Sequence, residues 1–109
     1  MAELTKDMIK EVDINTMDEL IDKVNIIDIR EKGEIMLSGT LATAKHVPMN
    51  ELLQYPEEYL NENDEYYILC HSGARSYRTC DELNAMGYKV INIHGGFARY
   101  KGENRVDMY

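Results

Sequence analysis

The chemistry in this chain is concentrated in one stretch, Ile68-Leu69-Cys70-His71-Ser72-Gly73-Ala74-Arg75-Ser76. An apolar run ends in a cysteine, a glycine-containing turn follows, and a helical pattern begins around Ala74 or Arg75. Such a turn aims successive backbone N–H groups inward and adds the positive end of a helix dipole, which together form a nest for an anion. A thiolate on the floor of that nest is stabilised and is a nucleophile. Arg75 adds a fixed positive charge near the rim, and His71, Arg75 and Arg78 form a local cationic island. Free cysteines are more often inert, well-packed hydrophobes. The loop chemistry and the strand-end position argue independently against that for Cys70. For Cys80, on the apolar stripe of the following helix, inertness is the expected state. Its Cα should lie about 7–8 Å along the helix from the loop, too far for an unstrained disulfide with Cys70.

The elements that must position this loop can be read from hydrophobic patterning. Three strand-length runs stand out: Val24 to Ile29, Tyr66 to Cys70 and Val90 to Ile93. Near-continuous apolarity predicts strands covered on both faces, as in parallel sheets. His46-Val47-Pro48 and Met8 to Val12 are shorter candidates for further strands. Thr16-Met17-Asp18-Glu19 has capping-box form ahead of Leu20 and Ile21, which predicts a helix there. Glu31 to Leu37 predicts a short helix stopped at Ser38-Gly39, and Asn50 to Leu60 one broken by Pro56. The clearest helix is Arg75 to Met86, with Tyr77, Cys80, Leu83 and Met86 as its expected buried stripe and Gly87 as its exit. The reading is an α/β domain with a mostly parallel central sheet of about five strands and helices on both faces.

In such sheets ligands bind outside the carboxyl ends of the strands. Asp28 and Arg30 close the first run, Cys70 the second, and His94-Gly95-Gly96 the third. Asp28 and Arg30 are expected to form an internal ion pair that braces the loops, and His94 to fix the glycine turn by hydrogen bonds. His71 either adds charge for an anionic ligand or is a solvated loop histidine. No pair among Cys70, Cys80, His71 and His94 has the spacing of a zinc site, so no metal is expected.

Composition bounds the rest. With 44% hydrophobic and 29% charged residues among 109, the chain is an ordinary globular domain rather than a disordered one. One domain over residues 1–109 is expected, with its core at about 8–101 and the tail after Tyr100 frayed. A formal net charge of -8 disfavours nucleic acid as a partner. The first ten residues lack the apolar core of a signal peptide, and no run is long enough for a membrane span. A soluble, cytoplasmic protein with free thiols is the expectation.

At these residues the sequence resembles the small single-domain rhodanese-like sulfurtransferases, from about Val24 to Tyr100. Asp28-Ile29-Arg30-Glu31 matches an Asp-x-Arg-Glu signature, Ala44 to Pro48 a segment leading to an apolar-Pro pair, and Cys70 to Ser76 the active loop. Gly87-Tyr88 and Ile93-His94-Gly95-Gly96-Phe97 match a C-terminal signature. The family's usual Gly-His-Ile is Gly39-Thr40-Leu41 here, and its Pro-Gly-Ala turn is Ala42-Thr43-Ala44.

The resemblance implies a sulfurtransferase with Cys70 as nucleophile and His71, Ser72, Gly73, Ala74 and Arg75 as the donor-binding loop. Asp28 and Arg30 would support it, and no metal or organic cofactor is needed. A small anionic sulfur donor such as thiosulfate, or a protein persulfide, would load Cys70, and a thiol or cyanide would unload it. Arg75 is expected mainly to bind the donor's anionic group. Related phosphatases and arsenate reductases carry a loop one residue longer. The spacing here, with Arg75 five positions after Cys70, favours sulfur. A sulfur-carrier or regulatory module with little turnover is the other reading the loop permits.

Overall fold

A computed structural model describes residues 9–109 of the chain. Among the described residues seven strands form, and five of them make one all-parallel sheet in the order β1-β6-β5-β2-β4. These are β1 (Glu11–Asp13), β2 (Asn25–Asp28), β4 (Lys45–His46), β5 (Glu65–Leu69) and β6 (Lys89–His94). The three apolar runs are the three central strands. The expected strand from Met8 to Val12 is found as β1, with Met8 itself outside the described residues.

Side-chain alternation divides the core. On one face, Ile27 and Ile29, then Tyr66, Ile68 and Cys70, and then Val90 pack with Leu52 of α2 (Met49–Gln54) and with Cys80 and Leu83 of α3 (Ala74–Ala85). On the other, Ile26, Leu69 and Ile93 pack with Ile14, Met17, Leu41 and Phe97. Fully burying an Ile or Leu side chain stabilises the fold by about 1.5–3 kcal/mol relative to leaving it exposed. These clusters therefore fix the register, since a one-residue slip would move every strand side chain to the wrong face.

Three local expectations are corrected. The Thr16 capping box does not start an α-helix: residues Ile14–Glu19 form a 3-10 helix capped one turn earlier, where the Asp13 carboxylate accepts from the Asn15 amide at 2.9 Å. Burial of Ile14 and Met17 against the sheet decides that geometry. On α3 the buried face is Ser76, Thr79, Cys80 and Leu83, whereas Tyr77 and Met86 are exposed. A stripe stepping by three residues falls roughly 60° behind a helix face at each step, so only its middle pair stays inward.

The tail, expected to fray, returns to the fold instead. β7 (Arg105–Val106) pairs antiparallel with β3 (Thr40–Leu41), and the Arg105 Nε donates to the Ser38 carbonyl at 2.5 Å. Tyr109 completes the return by hydrogen bonding His46 Nδ1 at 2.7 Å, while His46 Nε2 donates to the Arg30 carbonyl at 2.7 Å.

Strand order reverses direction at β2. From it the chain moves outward to β4, then crosses back to β5 on the opposite side. The crevice at the carboxyl ends of β2 and β5 is thus the topological switch point of the sheet, where such folds bind ligands. Asp28 lies beside Leu69 there, and the Ile29 amide donates to the Leu69 carbonyl at 2.9 Å.

Candidate functional site

Cys70 is the first residue beyond β5, and its side chain is fully buried at the base of the loop. Gly73 turns the loop into α3. Its φ of 102° is in the left-handed region, and a Cβ there would crowd the Gly95 amide at 3.1 Å, so glycine is required on both counts. The turn directs two backbone amides at the sulfur: Gly73 N donates to Cys70 Sγ at 3.1 Å and Ser76 N at 3.3 Å. The outward carbonyls are held from the other side. Cys70 O accepts from the Phe97 amide at 2.9 Å and His71 O from the Ala98 amide at 2.8 Å. Gly96 makes this clasp possible, because a Cβ there would overlap the His71 carbonyl and sit 2.7 Å from the Ser72 amide. Gly96 thus lets the β6 turn lie against the loop.

Asp28 and Arg30 form the expected internal pair, and it is a complete one. Arg30 Nη2 donates to Asp28 Oδ2 at 2.7 Å with both side chains buried. Asp28 Oδ1 also accepts from the Arg30 amide at 3.0 Å, and Oδ2 from the Thr40 hydroxyl at 2.7 Å. Arg30 Nε also donates to Asp28 Oδ1 at 3.1 Å, Nη1 donates to Ser38 Oγ at 3.0 Å and Nη2 to the Gly39 carbonyl at 2.7 Å, and the group stacks 4.8 Å from the Phe97 ring centroid. One buried cation therefore ties the end of β2 to the α1–β3 connection and to the turn that clasps the loop, α1 being Lys32–Ser38. Thr40, at the position where the resemblance expects histidine, keeps a donor to Asp28.

Arg75 is not held open for a ligand. Its Nη2 and Nη1 donate to Glu34 Oε1 and Oε2 at 2.7 and 2.8 Å, a bidentate pair with each side chain about one-third exposed. The Arg75 hydrogen bonds bring the Glu34 carboxyl down to about 2, and the same bonds raise Arg75 further. Glu34 also caps α1 by accepting from the Glu31 amide at 3.0 Å. This is why the sequence hides its role: Glu31-x-x-Glu34 reads as a local cap, and the second partner is 41 residues away.

The other loop residues separate by exposure. His71, Ser72 and Ala74 are at the surface, and Gly73 is buried. His94 does not fix the glycine turn: its ring is 67% exposed, and Nδ1 lies 3.8 Å from Glu11 Oε2. Backbone bonds hold the turn in its place. Cys80 is buried beneath the sheet, and desolvation pushes its thiol up to about 12, so it stays protonated at neutral pH.

Asn92 escaped the sequence reading, and Ser76, quoted there as the end of the loop, was given no role. Ser76 Oγ lies 3.2 Å from Cys70 Sγ, and its hydroxyl donates to Asn92 Oδ1 on β6. The available signal was Asn92 itself, the one polar residue inside the Val90 to Ile93 run. A buried amide must be partnered. An open cavity of about 420 Å³ beside Asn25, Thr43, Lys45 and Tyr66 lies at the amino ends of β2 and β5, away from Cys70.

Among the described residues no helix is long and apolar enough to cross a membrane. Residues 13–103 match the family model of the rhodanese-like domain. A Bacillus subtilis protein named "Putative sulfurtransferase YtwF" is 33% identical over 102 residues, covering 89% of this chain and 95% of its own length. Another from the same organism, "Putative sulfur carrier protein YrkF", is 34% identical across 87% of this chain but 52% of its own length, so this chain spans about half of it. Among solved structures, a rhodanese-like domain protein from Staphylococcus aureus superposes with a TM-score of 0.81 at 26% identity, covering 93% of this chain and all of its own.

Proposed function

The chain belongs to the rhodanese-like domain family, and on that premise we propose that it transfers sulfane sulfur through a persulfide on Cys70. The observation that carries this reading is the pair of backbone amides, Gly73 N and Ser76 N, aimed at Cys70 Sγ from a loop that reaches Arg75 in six residues.

The Cys70 thiolate attacks the outer sulfur of a donor such as thiosulfate. A new S–S bond forms, the donor's own S–S bond breaks, and sulfite leaves with the electron pair. An acceptor thiolate or cyanide then attacks the outer sulfur of the Cys70 persulfide, and the Cys70 thiolate is released. The persulfide is an anion like the thiolate, so the same amides stabilise both, in the manner of an oxyanion hole. The short loop makes a cradle suited to one sulfur atom rather than to tetrahedral phosphate. His71 and Ser72, exposed at the mouth, meet the incoming donor, and Arg75 holds the loop through Glu34.

Because both Nη atoms of Arg75 are on Glu34, the loop greets a dianionic donor with a cation that is already neutralised. That favours a second reading beside thiosulfate turnover: a carrier loaded by a protein persulfide, whose approach does not depend on a free arginine. Intact mass after thiosulfate treatment tests the common step. Wild type and Cys80→Ser should each gain one sulfur, and Cys70→Ser none. Uptake by a folded Cys70→Ser protein would overturn the assignment.

A further inference from the structure

Behind Cys70 lies a line of polar groups that the sulfur chemistry above does not use. Ser76 is fully buried, and three acceptors compete for its single hydroxyl proton: Asn92 Oδ1, the Gly73 carbonyl at 3.2 Å and Cys70 Sγ at 3.2 Å. Asn92, 1% exposed, donates from Nδ2 to Glu11 Oε2 on β1 at 2.7 Å. A carboxylate only accepts, so Glu11 fixes which way the Asn92 amide faces. Flipping it would set the amide oxygen against the carboxylate. Oδ1 is therefore held toward Ser76 and polarised by the charge behind it. The Gly73 carbonyl is the weaker competitor, since it already accepts the Tyr77 amide at 3.1 Å.

We propose that Asn92, oriented by Glu11, is a positioning residue that sets the direction of the Ser76 hydroxyl proton and thereby restrains negative charge on Cys70. With the proton on Asn92, Ser76 Oγ presents lone pairs to the sulfur. It accepts a hydrogen bond from the neutral thiol and repels the thiolate or persulfide anion. Charging the sulfur requires the hydroxyl to rotate toward it, which deprives the buried Asn92 oxygen of its donor, a loss that low-dielectric surroundings make costly. The relay is a brake: the two amides favour the anion, and Asn92 withholds the third donor. The resting sulfur is kept closer to its thiol form, where it is protected from oxidation.

The proposal rests on Cys70 being the reacting sulfur, but its test does not require turnover. Thiolate absorbance near 240 nm, taken as the difference from the Cys70→Ser protein, reports the Cys70 titration midpoint. Cys80, with its thiol pushed up to about 12, is silent over that range. Asn92→Ala should lower the midpoint by about one unit, a tenfold gain in thiolate fraction below it. Ser76→Ala, which removes the repelling lone pairs, should lower it too, and in the Ser76→Ala background Asn92→Ala should have no further effect, since the rotor is gone.

This non-additivity separates the relay from a change in overall field. The other charges around Cys70 are Arg75 with Glu34, Asp28 with Arg30, Glu11 with its neighbour His94, and exposed His71. All stay constant through the cycle. Glu11→Gln, at the sheet edge, is the milder probe should Asn92→Ala unfold. It lowers the midpoint partly by removing a charge and partly by freeing the amide, and only the second part should vanish when Ser76 is alanine. An additive cycle, or a midpoint that rises in Asn92→Ala, would overturn the proposal. Neither outcome would touch the sulfur-uptake result, so the two readings fail separately.

Discussion

Replacing Glu34 with Gln isolates what the Arg75 pair does. Gln keeps the shape and can still cap the Glu31 amide, as glutamine does in capping boxes. It removes the charge that neutralises Arg75 and leaves one acceptor oxygen where the guanidinium now holds two. The Glu34 carboxyl is held at about 2 against an ordinary 4.5. Taken at face value that difference is about 3 kcal/mol of pairing free energy. Each side chain is 34% exposed, so water screens the pair and about 1 kcal/mol is the realistic share.

If a thiosulfate dianion must compete with Glu34 for the guanidinium, that share is spent at every binding event in the wild type. Glu34→Gln should therefore lower the KM for thiosulfate about fivefold. The kcat should change little, because the interaction is equal in ground and transition states. A neutral organic persulfide donor should show no such gain. The pH dependence has a definite sign. The folded pKa is depressed, so the pair's contribution is full above about 4.5 and is lost as pH falls toward about 2. Between pH 5 and 8 the ratio of wild-type to variant KM should be flat. Steady-state thiosulfate:cyanide kinetics with both proteins measures all of this. A KM that is unchanged or raised would refute the reasoning and return Arg75 to a purely structural role.

Other perturbations read the scaffold. Arg30→Met strands the Asp28 carboxylate in the core among donors arranged for an ion pair, and should cost about 3–5 kcal/mol in urea denaturation. A loss below 1 kcal/mol would mean that the pair does not brace the site. Gly96→Ala forces a Cβ into the His71 carbonyl at a φ of 65°, so sulfur uptake at Cys70 should fall sharply. Wild-type uptake and thermal stability in that variant would show that the clasp is dispensable.

The sequence by itself determined the class of the fold and pointed to the place of the candidate site. Three apolar runs of strand length could be satisfied only by burial on both faces, so they had to be central parallel strands. Residues at their carboxyl ends had to converge. Cys70, the glycine turn and Asp28 with Arg30 were legible because each is a local signal: a strand end, a turn that needs a positive φ, an acid and a base two residues apart.

What the tertiary structure decided is every partnership across long separations. Glu34 meets Arg75, Asn92 meets Ser76 and Glu11, and Thr40 meets Asp28 only once the sheet order is set. The α3 stripe and the 14–19 segment were misjudged for the same reason. Periodicity and capping weigh neighbours along the chain, whereas the face that is buried depends on what packs against it. The tail likewise has no local pattern of its own. Its two-residue strand exists because β3 offers it an edge and Ser38 a carbonyl. A single hydroxyl proton with three acceptors is the extreme case, since its direction follows from groups on β1, β6 and α3 that no stretch of sequence places together.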